Sequence, residues 1–286
     1  MYSKLFPTLS RTSVSLYRQI LSRRSYSSPA SSLIKVTNVP APHSGSIRIL
    51  SLNRPSARNA ISRQLLAELS HETKALGDEG EYGATRVMIL ARACGIQTTD
   101  FLASLRGTFA NISRLPIPTI SAVSSLAFGG GLELALTTDL RVFASSAAVA
   151  LPETRLGIIP GAGGTYRLPA LIGKNRARDL ILTGRRIGGP EAYFLGVCDR
   201  LVEVLAADQG KEGRARELVL QEAMRLAGEI CEGAPKAARA AKVAVEGWQH
   251  GEEVENACYE TVVGTRDRDE ALEAFREKRK PVFKGR

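Results

Sequence analysis

The chain has 286 residues, of which 44% are hydrophobic and 24% charged, and a formal net charge of +10. That length can bury a full core as one large domain with an appendage, and no apolar run approaches the ~18 residues of a transmembrane helix, so the chain reads as a soluble globular protein with no membrane span. The excess charge lies at one end. Residues 1–67 carry ten Lys or Arg and no acidic residue before Glu68, whereas the other 29 basic residues balance the 29 acidic ones.

Residues 1–32 hold Lys4, Arg11, Arg18, Arg23 and Arg24 among many Ser and Thr, with Leu5, Phe6, Leu9, Leu16, Tyr17, Ile20 and Leu21 between them. An amphipathic, arginine-rich, acid-free segment is the composition of a mitochondrial presequence. Arg24-Ser-Tyr-Ser27 resembles a matrix-peptidase site, which assigns residues 1–26 to the presequence and the mature chain to the matrix. The competing reading, a disordered basic arm for nucleic acid, does not require the amphipathicity. Cys94, Cys198, Cys231 and Cys258 are scattered, as free thiols of a reducing compartment would be. His43, His71 and His250 have no Cys or Asp at ligand spacing, so no metal site is expected.

Taken in order, residues 33–39 and 47–52 read as two strands of a hairpin, separated by Pro40-Ala-Pro42 and a Ser/Gly turn. Residues 53–59 form a polar, proline-bearing loop. Ser62 caps a helix to about residue 76, with Leu65, Leu66, Leu69 and Thr73 on one side. Residues 86–91 are a central strand, and 101–112 a helix. Residues 119–123, apolar and β-branched after two prolines, make a buried strand. Residues 141–144 and 147–151 are short strands, 168–182 one helix and 190–195 a short one. From 206 onward the composition turns to Glu, Arg, Ala and Leu, and further helices follow Pro235 and Glu252. Trp248, Cys258 and Tyr259 read as packing residues there.

The stretch from 118 to 165 organises the rest. Gly129, Gly130 and Gly131 permit conformations and close approaches that a Cβ forbids. Residues 132–138 have helical composition, which puts free backbone N–H groups and the positive dipole end at the glycine turn, a setting for an anion or a developing oxyanion. Glu133 falls in the first turn, where an acidic residue is common and needs no chemistry. Glu153 follows twenty residues later, ahead of a second glycine-rich turn at Gly161, Gly163 and Gly164. Two carboxylates, each beside a glycine-rich turn, suggest acid/base work next to an anion hole. A dinucleotide fingerprint, a Walker lysine and a G-x-S-x-G elbow are all absent.

Gly129-Gly-Gly-Leu-Glu-Leu-Ala135, Leu151-Pro-Glu-Thr154 and Leu156-Gly-Ile-Ile-Pro-Gly-Ala-Gly-Gly-Thr165, in this order, resemble the enoyl-CoA hydratase/isomerase (crotonase) family. Leu52-Asn-Arg-Pro55, Asn59-Ala60, Leu115-Pro-Ile-Pro-Thr119, Leu182-Thr-Gly-Arg185 and the segment 274–285 extend the likeness. It is strongest to the branch of methylglutaconyl-CoA hydratases. The resemblance implies an α/β fold, a crotonase-like spiral of ββα units over residues 33–205, with a helical trimerisation region at 206–286. It implies an acyl-CoA substrate, no cofactor beyond the coenzyme A of that substrate, and a homotrimer or hexamer. It implies that the Gly130 N–H donates to the thioester oxyanion, that Glu133 and Glu153 activate water and return a proton at C2, and that Gly129 and Gly161 line the site. Arg58 would meet the coenzyme A phosphates, with solvated surface arginine as the alternative. Phe275 and Lys284 would approach a neighbour's coenzyme A, a plain surface lysine being equally compatible.

The sequence departs from that pattern in two places. Where the family has Phe-x-Ala-Gly-Ala-Asp-Leu, whose backbone supplies the second oxyanion donor, residues 91–100 run almost directly into the next helix, and no Ala-Gly-Ala-Asp occurs anywhere. Loss of one such donor costs about 100- to 1000-fold in rate, so a catalytically impaired hydratase-like chain stands beside the active hydratase, with Cys94-Gly95 as the available replacement backbone. Ser124-Ser125 also replaces the usual Asp-Gly. Members of this branch include RNA binders with a lysine-rich helix. Here that helix keeps Arg63 but has Ala67 and His71 where lysines are expected and Glu68 and Glu72 beside them, which argues against RNA.

Overall fold

The computed structural model describes residues 32–53, 60–80, 83–91, 94–96, 101–208, 211 and 213–286. Residues 1–26, expected to be a presequence, and Arg58 lie outside them. The main sheet has six strands in the order β1-β2-β4-β6-β8-β11, formed by β1 (Ile34–Pro40), β2 (Ser46–Leu52), β4 (Thr85–Ala91), β6 (Thr119–Val123), β8 (Leu140–Ala144) and β11 (Arg200–Val202). β1 and β2 pair as the expected antiparallel hairpin, and the other pairings are parallel. Short strands make two further sheets: β3 (Ala60–Ile61) with β5 (Cys94–Ile96), and β7 (Leu126–Phe128) with β9 (Ala148–Ala150) and β10 (Ile187–Gly188). Long strand, short strand and helix follow one another four times: β2, β3 and α1 (Arg63–Asp78); β4, β5 and α2 (Phe101–Ser113); β6, β7 and α3 (Gly130–Ala135); β8, β9 and α4 (Gly164–Ile172). This is the expected ββα spiral.

The period-two alternation of the central strands divides the core into two layers. Ile47 and Ile49 of β2 and Val87, Ile89 and Ala91 of β4 face one cluster, which includes Val219, Ala223 and Ala227 of α7 (Arg214–Cys231). Leu50, Leu52, Met88 and Leu90 face the other, with Leu65, Leu66 and Leu69 of α1 and Leu105, Phe109 and Ile112 of α2. A carboxylate clamps α1 to β1: Glu68 accepts the N–H groups of Leu33 and Ile34. The Ser62 hydroxyl caps α1 at the Leu65 N–H, as its position implies.

The expected helix over 168–182 is two helices, α4 and α5 (Lys174–Thr183), parted at Gly173, whose φ of 80° breaks the helix. Beyond α6 (Gly189–Leu195) and α7 lie α8 (Pro235–Glu246), α9 (Glu252–Val263) and α10 (Arg266–Glu277). α7 covers the sheet, but α8 and α9 pack on each other and bury no residue. Trp248 and Tyr259, expected to be packed, are therefore 72% and 64% exposed on the single chain. The C-terminal tail turns back along α10: Asp267 accepts the Lys284 and Gly285 N–H groups, and the Ser44 hydroxyl donates to the Phe283 carbonyl. Among the described residues no helix is long and apolar enough to cross a membrane.

Candidate active site

The site forms where α3 leaves the end of β6 and β7. Gly129 precedes the helix with φ 55° and ψ −128°, a conformation that L side chains avoid, and its N–H donates to the Ala150 carbonyl of β9. A helix was expected over 132–138. It starts two residues earlier, at Gly130, and stops at Ala135 because Thr137 and Thr138 donate their hydroxyls to the Leu134 and Ala135 carbonyls, groups that a longer helix would use itself. All six residues of α3 are buried between the two core layers, with Leu132 and Ala135 in one and Leu134 in the other. Glu133 is thereby carried into the interior.

Glu133 is 1% exposed, and its Oε1 accepts two backbone N–H groups, from Ala162 at 2.8 Å and Gly164 at 2.9 Å. Burial raises its pKa above the ordinary carboxylate range; these two donors, and the positive charges of Arg167 and Arg106, oppose the rise. Glycine at 164 eases this contact: a Cβ there would stand 3.2 Å from Glu133 Oε1 and 3.0 Å from both Leu151 and Pro160. Arg167 holds the donating loop from behind, with Nη1 on the Ala162 carbonyl and Nη2 on the Ser113 hydroxyl. Arg106 grips it from α2, its Nε donating to the Gly161 carbonyl at 2.6 Å.

Glu153 opens a 3-10 turn, Glu153–Leu156, which is fixed to α5 by the Thr154 hydroxyl on the Ile181 carbonyl and by Arg155 Nε on the Thr183 carbonyl. Its side chain is 8% exposed, and a Cβ on Gly129 would stand 3.0 Å from its Oε1. Its Oε2 is buried without a hydrogen-bond partner. Burial, reinforced by the nearby Glu133 charge and opposed by its own backbone N–H, pushes its pKa up to about 7. A buried oxygen left unsatisfied is unfavourable unless something brought to the site occupies it. Two mutually repelling carboxylates, one held by two N–H groups of the Ala162–Gly164 loop and the other with an unpartnered oxygen, can hold a single proton at neutral pH.

Of the residues singled out in the sequence, Glu133, Glu153 and Gly129 meet here, Gly130 starts the helix beside them, and Gly161 opens the loop that binds Glu133. Phe275 is 84% exposed on α10, and Lys284 is an exposed tail residue whose backbone is held by Asp267; neither joins the glutamates. β5 stands where the family motif was missing from the sequence: its backbone pairs in parallel with β3 and packs against α3 and β7. Arg106 and Arg167 went unread. The available signal was that Arg106 is the one charged residue in the apolar helix Phe101–Ser113.

A glycine turn opening on two buried glutamates, carried on a spiral of ββα units, is an arrangement able to do acid/base chemistry beside a helix N-terminus. Residues 43–286 match the enoyl-CoA hydratase/isomerase family, and the chain belongs to it. It is 55% identical to an enoyl-CoA isomerase/hydratase of Zymoseptoria tritici, over 93% of each chain. It is 52% identical to the mitochondrial methylglutaconyl-CoA hydratase 1 of Pyricularia oryzae, over 90% of this chain and 88% of that one. The crystal structure of an enoyl-CoA hydratase from Bacillus anthracis superposes with a TM-score of 0.79 at 36% identity, over 89% of this chain and all of that one.

Proposed function

We propose that the chain is a mitochondrial matrix hydro-lyase that adds water across the 2,3 double bond of an enoyl-CoA, with methylglutaconyl-CoA as the leading substrate. The observation that carries this reading is the pair of buried carboxylates, one oxygen of which has no protein partner. Hydration needs charge stabilised on the thioester oxygen, water delivered to C3 and a proton delivered to C2. The Gly130 N–H at the start of α3 serves the first need, and the Cys94–Gly95 backbone, on a strand that packs against α3, is the replacement proposed for the second donor. Glu133, with its N–H support, holds and deprotonates the water, and Glu153, whose pKa is raised, carries the proton that reaches C2. Two acids favour hydration over double-bond migration, for which one suffices. The acyl chain is suggested by the Pyricularia relative, and the location by that relative's name together with the acid-free basic N-terminus.

Coenzyme A is part of the substrate and no further cofactor is needed. A homotrimer or hexamer would cover α8 and α9, Trp248, Tyr259 and the exposed Phe275, and would bring Phe275 and Lys284 toward a neighbour's site. The competing reading, a hydratase-like chain of impaired catalysis, is favoured by the missing Ala-Gly-Ala-Asp segment. Incubation of the full chain with crotonyl-CoA and with methylglutaconyl-CoA, followed by mass spectrometry, decides between them. Hydration adds one water to the product mass, and isomerisation adds none. A folded protein that leaves both thioesters unchanged would overturn the active-hydratase reading.

A further inference from the structure

Arg106 is the only charged residue of α2, and its Nε donates to the Gly161 carbonyl at 2.6 Å. The carbonyl of Gly161 and the N–H of Ala162 are the two ends of one planar peptide group. That N–H is one of the two donors to Glu133 Oε1, at 2.8 Å. Guanidinium, peptide and carboxylate therefore form a single chain of hydrogen bonds, with a cation at one end and an anion at the other. In such a chain each bond polarises the next, and a bond made by a charged group is about twice as strong as a neutral one. Arg167 stands differently. It donates to the Ala162 carbonyl, whose peptide continues to the N–H of Gly163, and Gly163 is not one of the two donors to Glu133. The second donor, Gly164, starts α4, and the carbonyl of its peptide, that of Gly163, accepts the backbone N–H of Arg167. The Arg106 side chain is exposed, where solvent screens a charge acting at a distance. The peptide gives that charge a route that water does not interrupt. Glycine at 161 lets α2 lie this close: a Cβ there would stand 3.3 Å from Leu102 Cδ2 and 3.8 Å from Arg106 Nη2.

We propose that Arg106 is a positioning residue that acts on Glu133 through the Gly161–Ala162 peptide and holds its carboxylate in the ionised form. Its bearing on catalysis rests on the reading of Glu133 as the base, whereas its action on the Glu133 proton does not. Among the described residues the other charged groups that act on Glu133 are Arg167 of α4, which favours the ionised form, and Glu153, whose charge it repels.

The test follows protonation of Glu133 directly, by infrared titration of the full chain, with the carboxyl band assigned by its loss in Glu133→Gln. Arg106→Gln, which offers the Gly161 carbonyl a neutral donor, should move the Glu133 midpoint up by about half a pH unit, the scale of one partly screened charge. Arg106→Lys, which keeps the charge, should stay closer to the parent. An unmoved midpoint in Arg106→Gln would overturn the proposal. So would an equal displacement in both variants, which would make the shape of the side chain rather than its charge the agent. The rising, acid limb of kcat/KM for crotonyl-CoA should move with the midpoint. If the midpoint moves but the limb does not, or if the folded chain hydrates nothing, Glu133 loses its role as base while the action of Arg106 on it stands.

Discussion

The stretch that carries Glu133 gives its carboxylate two backbone N–H donors, whereas the turn that carries Glu153 leaves one carboxylate oxygen with none. Both side chains are buried, and burial raises both pKa values; at Glu133 the N–H groups of Ala162 and Gly164 and two arginine charges oppose the rise, whereas at Glu153 only its own backbone N–H does. The same residue type thus sits in two unlike settings, which under the proposed mechanism makes Glu133 the base and Glu153 the proton carrier. The difference comes from the glycines: Gly164 lets a loop approach Glu133, and Gly129 lets the chain turn closely past Glu153.

The contrast can be broken most severely at the acids themselves. Glu133→Gln and Glu153→Gln should each lower kcat for crotonyl-CoA by about 100- to 10,000-fold, the usual worth of a positioned acid or base. A loss at one position only would mean that one glutamate is idle. Gly129→Ala should follow with about a 100-fold loss and a lower Tm, because it forces a side chain into a left-handed backbone and against Glu153 Oε1. Wild-type kinetics in that variant would remove the close approach from the account. Arg167→Leu, which frees the Ala162 carbonyl and removes one positive charge that favours ionised Glu133, should lower kcat only about tenfold or less, as a loosened support does.

Stability offers a reading that needs no turnover. The folded chain holds the Glu153 proton more tightly than the unfolded one, so it binds more protons between the ordinary glutamate range and about pH 7, and stability falls as pH rises through that window. Glu153→Gln should therefore melt a few degrees above the parent at pH 8 and lose that advantage at pH 5, as followed by calorimetry. A difference independent of pH would contradict the raised pKa.

Much of this centre was legible in the sequence because its parts are chemical and local. The glycines announce turns, the glutamates stand at fixed offsets from them, and the strands that position them are mostly apolar. What escaped depends on contacts between distant segments. The split of α4 from α5 turned on the φ of Gly173, which an apolar run does not reveal. The early end of α3 came from two threonine hydroxyls returning to helical carbonyls. Arg106 and Arg167 gain meaning only once α2 and α4 meet the loop at Gly161 and Ala162. Trp248 and Tyr259 read as core by composition, yet α8 and α9 pair away from the sheet and leave them on the surface of the single chain.

The central claim is that one proton is shared by two unequal glutamates to hydrate an enoyl thioester. Its most direct test is the pH profile of kcat/KM for crotonyl-CoA from pH 5 to 9, which reports the ionisations of the free enzyme. Measurable hydration is expected, with a falling limb near pH 7, where the pair gives up its shared proton. A flat profile over that range, or no hydration by the folded protein at any pH, would contradict it.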